Sequence, residues 1–228
     1  MSALTLRNVS YTYPNTERLA VKDANFTFEN GYIYAIVGPS GSGKSTLLSI
    51  LAGLDLPTSG DVLLRDEKNT KELDLDHYRS RDVSIIFQAF CLLPLLTVRE
   101  NVCLPLEMQG IDDHTAQSRA KEALQKVGIS EELYKRFPSE LSGGEQQRVA
   151  IARSISSGAA ILLADEPTGN LDGENTRIIM DILQKIAHEE KRCVIVVTHD
   201  SEAAEVADVV LKMKDGILTF ERKRDTVQ

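Results

Sequence analysis

Eight residues, Gly38-Pro39-Ser40-Gly41-Ser42-Gly43-Lys44-Ser45, restrict the fold of this chain more than any other stretch. The apolar run Tyr32 to Val37 precedes them and Thr46 to Leu51 follows, so the pattern predicts a strand, a glycine loop and a helix. Glycines at 38, 41 and 43 let the backbone turn tightly and aim successive N–H groups inward, at the positive end of the helix. Such a nest holds an anion. Lys44 is long enough to reach the β- and γ-phosphates of a nucleoside triphosphate, and Ser45 offers a hydroxyl to Mg²⁺. The alternative, a glycine-rich turn that binds nothing, leaves the complete pattern in its strand–loop–helix context unexplained.

The totals narrow the class. A chain of 228 residues suits one large α/β domain or two small ones. Its net charge of −8 argues against non-specific attraction to nucleic acid, which needs clustered Lys and Arg. Three cysteines, Cys91, Cys103 and Cys193, are an odd count without metal-ligand spacing, and read as reduced thiols. No apolar run approaches the ~20 residues that cross a bilayer, and Met1 to Arg7 lacks a signal peptide's apolar core. Work at a membrane is therefore expected to need another chain for the spanning.

Along the chain, Leu4 to Tyr13 alternates like an edge strand that Pro14 stops, and Ala20 to Phe28 reads as a second strand. Tyr11 and Tyr13 share one strand face, so spacing alone leaves open which could stack on a base. A strand over Asp61 to Arg65 and a buried parallel strand over Val83 to Phe87 are expected, with Gln88 at the end of the latter. Ala89 to Leu96 is apolar but broken by Pro94, which suits either a core-packing loop or a docking surface. Helices follow over Val98 to Met108 and Asp112 to Val127, the latter with Ala116, Ala120, Ala123, Leu124 and Val127 on one stripe. Residues 89–157 contain no strand-like run and read as a helical insertion in an α/β core.

Three later stretches carry chemistry. Ser142-Gly143-Gly144-Glu145 opens a helix with the spacing of a capping box. A cap alone does not account for consecutive glycines, which weaken a helix start unless something must approach its backbone. A phosphate at this second helix N-terminus is the functional reading. Ile161 to Ala164 is a buried strand ending in Asp165-Glu166, where open α/β sheets place their ligands. Asp165 suits Mg²⁺, and Glu166 suits acceptance of a proton from attacking water. Cys193 to Thr198 is one more buried strand, delivering His199 to the same edge, within reach of a γ-phosphate. Val209 to Lys212 and Ile217 to Phe220, joined by Asp215-Gly216, form a closing hairpin.

In this order and over nearly the whole chain, the motifs resemble the nucleotide-binding subunit of an ATP-binding cassette (ABC) transporter. Gly38 to Ser45 matches the Walker A loop, Gln88 the Q-loop, and Leu141 to Glu145 the signature motif. Ile161 to Glu166 matches Walker B, Asn170-Leu171-Asp172 the D-loop, and His199 the switch histidine. Tyr13 falls where the family keeps its adenine-stacking aromatic. Glu145 stands where Gln is commonest; a carboxylate beside a γ-phosphate is unfavourable, so Glu145 is expected to turn back toward the Ser142 backbone. The stretches Phe87 to Val102 and Asp165 to Asp172 are most similar to the MacB/LolD-like group, whose members serve macrolide or antimicrobial-peptide export, lipoprotein release and cell division.

The resemblance implies an α/β fold: a P-loop NTPase (RecA-like) core with an N-terminal antiparallel β subdomain, together residues 1–88 and 158–228, and an inserted α-helical subdomain, 89–157. It implies ATP and Mg²⁺ as ligands, and an ATP-bound homodimer in which each nucleotide lies between Gly38–Thr46 of one copy and Ser142–Glu145 of the other, with Asp172 at the interface. Within it Tyr13, Gly38, Pro39, Ser40, Gly41, Ser42, Gly43, Lys44, Ser45 and Thr46, and also Ser142, Gly143, Gly144, Glu145 and Asp172, touch nucleotide. Ser45, Gln88 and Asp165 attend the metal, while Lys44, Gln88, Glu166 and His199 serve hydrolysis. A separate integral membrane permease, an extracellular adaptor and a place on the cytoplasmic face of the membrane also follow from the resemblance, with no nucleic-acid partner. A small-molecule kinase would share the glycine loop but has no use for Ser142-Gly143-Gly144. A non-transport ABC ATPase usually carries two cassettes or a coiled-coil insertion, for which Lys44 to Asp165 leaves no room.

Overall fold

A computed structural model describes residues 1–200 and 204–224. The chain begins with two antiparallel strands, β1 (Ser2–Thr12) and β2 (Leu19–Glu29), then β3 (Ile33–Val37) and helix α1 (Lys44–Leu51). Strands β4 (Ser59–Leu64) and β5 (Lys68–Asn69) precede α2 (Leu75–Arg81) and β6 (Val83–Ile86). Three helices come next: α3 (Val98–Met108), α4 (Asp113–Lys126) and α5 (Gly143–Ser156). Strand β7 (Ile161–Asp165), α6 (Gly173–Glu189) and β8 (Cys193–Thr198) return to the sheet, and β9 (Val209–Lys214) with β10 (Ile217–Lys223) closes it.

Two sheets result. The larger runs β10-β9-β3-β8-β7-β6, parallel except for the β9–β10 hairpin; the smaller runs β2-β1-β4-β5 and is antiparallel. The inner strands β3, β7 and β8 are buried on both faces, which is why they are near-continuous apolar runs. Alternate residues divide between two cores. Tyr34, Ile36, Leu163, Ile195 and Val197 pack with α1 and the smaller sheet, whereas Ile33, Leu162, Ala164, Val194 and Val196 pack with α3 to α6. Helices α3, α4 and α5 lie between β6 and β7 in sequence and pack on one another.

Parallel register fixes the address of the chemistry. Val37 pairs with Thr198 and Asp165 with Val197, so the chain leaves β3, β7 and β8 at one carboxyl edge. Gly38, Glu166 and His199 are the residues that emerge there.

The strand order corrects one expectation. β1 is an inner strand, paired with both β2 and β4. Ala3 to Leu6 are buried in succession and burial alternates only from Val9 on, and Pro14 lies beyond the ladder, where a missing N–H costs nothing. The edges of that sheet are β2 and β5, and Val83–Ile86, expected as a buried strand, is an edge of the larger sheet. The stretch 89–97 is neither helix nor strand, and it packs on the core at only part of its length. Leu92 packs against the helical core, while Leu93 and Leu95 (87% exposed) face outward. All three cysteines are free, Cys91 exposed and Cys103 and Cys193 buried. Among the described residues no helix is long and apolar enough to cross a membrane.

Candidate nucleotide site

The glycine loop is shaped by contacts from distant parts of the chain. A Cβ at Gly38 would overlap the Met213 carbonyl of β9, and one at Gly43 would overlap the Ala20 carbonyl of β2. Gly43 also has φ +105°, a conformation L side chains rarely adopt, and caps α1 without a side chain of its own. The β9–β10 turn holds the loop from a third side through Gly216 N–H, which donates to the Ser42 carbonyl at 2.9 Å. Lys44 is buried and donates to the Gly38 carbonyl at 2.8 Å and the Pro39 carbonyl at 3.2 Å. Ser42 is buried too, and its hydroxyl has no partner among the described residues. An orphan hydroxyl and an ammonium resting on loop carbonyls are the groups that phosphate oxygens can satisfy.

A cleft of about 510 Å³ opens over this loop, and Tyr13 forms one wall. The two tyrosines that spacing left equivalent are separated by burial. Tyr11 is 8% exposed and donates to Asp55, and burial raises its hydroxyl pKa above the usual tyrosine value. Tyr13, 46% exposed just past the end of β1, stands edge-on to Tyr11 and brings its hydroxyl to 2.7 Å from Thr46 Oγ1. An accessible ring face beside a phosphate nest can stack on a base.

The acidic edge lies across the loop. Ser45 donates to Asp165 at 3.3 Å. Burial raises the Asp165 pKa above the ordinary aspartate value and Glu166 adds to this, with the Ser45 hydroxyl and Lys44 pulling the other way. Glu166 also lines the cleft and sits at φ 47°, a left-handed conformation unusual for a residue with a side chain. Its N–H donates to the Val197 carbonyl, and its carboxylate meets His199 Nδ1 at 3.0 Å. The structure thus brings Ser45 to Asp165 and Glu166 to His199. Gln88 is engaged elsewhere: its Nε2 lies 3.4 Å from Asn170 Oδ1, while Asn170 Nδ2 donates back to the Gln88 carbonyl.

The second helix start is built differently. Ser142 caps α5, and Glu145 turns back to accept from the Ser142 N–H at 2.8 Å and hydroxyl at 2.7 Å, as its charge predicted. Those two bonds hold the Glu145 carboxyl below the usual glutamate range. The glycines divide. Gly144 is buried where a Cβ would overlap the Asn175 side chain of α6, so the chain's own packing accounts for it. Gly143 is exposed and a Cβ there would make only ordinary contacts, 3.7 Å to Leu171 and 3.8 Å to Phe90. Asp172 caps α6 and accepts from the Asn175 N–H at 2.8 Å, which lowers its pKa. None of Ser142 to Glu145 lines the cleft over the glycine loop, and neither does Asp172.

Motif reading missed Arg18 of the β1–β2 connection, Ala20 of β2, and Asp215 and Gly216 of the β9–β10 turn, all of which line the cleft. They reach it through sheet pairing across the length of the chain, and no local spacing marks them.

Comparison with known proteins identifies a family and a fold for the chain. The family model for the ABC transporter matches residues 21–169. An uncharacterized ABC transporter ATP-binding protein of Bacillus subtilis is 42% identical over 219 residues, 96% of each chain. The lipoprotein-releasing system ATP-binding protein LolD of Aquifex aeolicus is 45% identical over 208 residues, covering 90% of this chain and 91% of that one. A dimeric ABC transporter cassette of Methanocaldococcus jannaschii superposes with a TM-score of 0.87 at 40% identity, covering 97% of this chain and 99% of that one. The same cassette is also known as a dimer in a post-hydrolysis state bound to ADP and Pi.

Proposed function

The chain belongs to the ABC transporter family, as an ATP-binding subunit with a P-loop NTPase fold, and from that premise we propose that two copies close head to tail around two ATP molecules to drive a separate membrane permease. The observation that carries the reading is the divided site. The cleft over Gly38 to Thr46 has no contribution from Ser142 to Glu145, while Gly143 is an exposed helix start that meets only Leu171 and Phe90, at ordinary distances, among the described residues. Each copy would supply one half.

In this reading the backbone of Gly38 to Gly43 and Lys44 bind the phosphates, and Tyr13 stacks on the adenine. Lys44 exchanges the Gly38 and Pro39 carbonyls for phosphate oxygens. A hydroxyl and a half-buried carboxylate at hydrogen-bonding distance, Ser45 and Asp165, suit a hard cation that takes oxygen ligands. They would hold Mg²⁺, with Gln88 joining once released from Asn170. When bound, the metal neutralises charge developing on the phosphate oxygens. Glu166 accepts a proton from attacking water, and His199, already on the Glu166 carboxylate, orients it. Ser142 and Gly143 of the second copy bind the γ-phosphate, with Asp172 alongside. ATP moves the permease only by favouring the closed pair over the open one, because equal affinity for both would shift nothing.

Residues 1–88 and 158–228 form the nucleotide-binding core in this scheme. Residues 89–157 form a helical subdomain whose exposed Leu93 and Leu95 meet the permease at the inner face of the membrane. Relatives named LolD favour a permease of the lipoprotein-releasing kind over macrolide export, with any extracellular adaptor reached through the permease.

The test is Glu166→Gln. Hydrolysis should fall by ~10²–10⁴ with ATP binding kept, and the variant should elute as a dimer on gel filtration with ATP. A variant that stays monomeric with ATP and hydrolyses at the parent rate would falsify the scheme.

A further inference from the structure

The bend at Phe90 and Cys91 joins two surfaces that the motifs treat as separate. Both residues have positive φ, 58° and 50°, in consecutive positions. Side-chain-bearing residues adopt this conformation at a cost, and it persists where the surroundings hold it. What holds it is Arg153, midway along α5. Its guanidinium donates through Nη1 to the Cys91 carbonyl at 2.6 Å and through Nη2 to the Phe90 carbonyl at 3.0 Å. A planar fork suits two successive carbonyls in a way a single ammonium does not.

Contacts on either side of the bend give it direction. Toward the nucleotide, the Phe90 ring lies 3.8 Å from where a Gly143 Cβ would stand, at the open start of the same helix. Arg153 is ten residues farther along α5, about 15 Å at the helical rise. Toward the exposed leucines, Asn101 of α3 is fully buried and fastens the segment. Its Nδ2 donates to the carbonyls of Leu93, Leu96 and Thr97, and its Oδ1 accepts from the Leu93 N–H at 2.8 Å. The outward-facing segment is thus tied to α3 at one end and to α5 at two points at the other.

We propose that Arg153 is a positioning residue that couples the exposed apolar segment 92–96 to the Gly143 helix start, so that closure on ATP and occupation of that segment bias each other. The link is separate from the Gln88–Asn170 contact and rests on the ATP sandwich proposed above. Closure over Gly143 acts at the helix start that the Phe90 ring flanks, and the forked bond transmits any shift of α5 to the bend. Coupling of this kind is reciprocal, so a partner gripping Leu93 and Leu95 alters ATP affinity by the factor with which ATP alters the grip.

Cys91 gives a direct readout, since it is exposed while Cys103 and Cys193 are buried. In the Glu166→Gln chain, the rate of Cys91 modification by a soluble aromatic disulfide is measured with and without ATP. ATP should change that rate by about fivefold or more, the lower range of ordinary coupling. Adding Arg153→Met should bring the ratio close to one while ATP still produces the dimer on gel filtration. Arg153→Lys, which keeps charge and stem, should restore part of the effect and stands in should the methionine variant fail to fold. An unchanged ratio in both Arg153 variants overturns the coupling, as does a parent whose Cys91 ignores ATP although it dimerises. A parent that never dimerises overturns the sandwich and the coupling with it, and gel filtration separates that outcome from the others.

Discussion

The two glycine-bearing helix starts, Gly43 before α1 and Gly143 at the head of α5, present the same chemistry in opposite states of completion. Around Gly43 the chain closes its own walls: Met213 and Ala20 carbonyls crowd the loop, Gly216 holds it, and Lys44 is buried. Around Gly143 the orphan donors near the cap are met by Ser142 and Glu145, and the approach to the glycine stays open. One site is preorganised within a single copy. The other is kept available, which is the condition for a surface completed by a second molecule.

The comparison breaks most sharply at Gly43. Gly43→Ala forces a methyl into the Ala20 carbonyl at φ +105°, so the fold should lose about 2 kcal/mol or more and ATP binding should vanish from a titration calorimeter. An alanine variant that melts and binds like the parent would mean that the crowding is not what shapes the loop.

Gly143→Ala should do the reverse. Its methyl meets only Leu171 and Phe90 at ordinary distances, and alanine is the better helix former by roughly 0.5–1 kcal/mol. Thermal stability should hold or rise slightly, and a single copy should bind ATP as before. In the Glu166→Gln background the ATP-held dimer should weaken by about tenfold or more, the loss of one to two charge-assisted bonds. Analytical ultracentrifugation reads this directly. An undiminished dimer would show that Gly143 is open for some other reason.

Much of this contrast was legible in the residues alone. The glycine loop, the acidic strand end, His199 and the turn of Glu145 onto Ser142 all follow from local pattern, because each is a short segment whose neighbours in sequence are its neighbours in space. Gly144 was not legible. Its glycine answers to Asn175, brought in by α6 thirty residues later, and nothing near 144 announces that approach. The same holds for Asp215 and Gly216 in the cleft, and for Asn101, whose polar side chain is buried inside a helix that reads as ordinary. The inner place of β1 was misread because alternation reports which faces are wet, and says nothing about how many edges are paired.

The smallest and most diagnostic effects lie in pH dependence, where the two sites carry carboxylates shifted in opposite directions. Burial raises the folded-state pKa of Asp165 beside the completed loop, so its charged form costs stability that is regained as pH falls through the folded value. Hydrogen bonds from Ser142 lower that of Glu145, so its contribution is present above the unfolded glutamate pKa and disappears as pH falls through the folded value. In urea unfolding at pH 7, Asp165→Asn should therefore be more stable than the parent. Glu145→Gln should be less stable, each by about 1 kcal/mol or less after solvent screening. Both gaps should close on acidification, from opposite sides and in sequence: that of Asp165 as pH falls through its raised value, that of Glu145 only below the unfolded glutamate pKa, because protonation makes each parent carboxyl resemble its amide. Asp165→Asn falling below the parent at neutral pH would mean that its bond to Ser45 and attraction to Lys44 outweigh burial, and that the first site is less strained than its geometry implies.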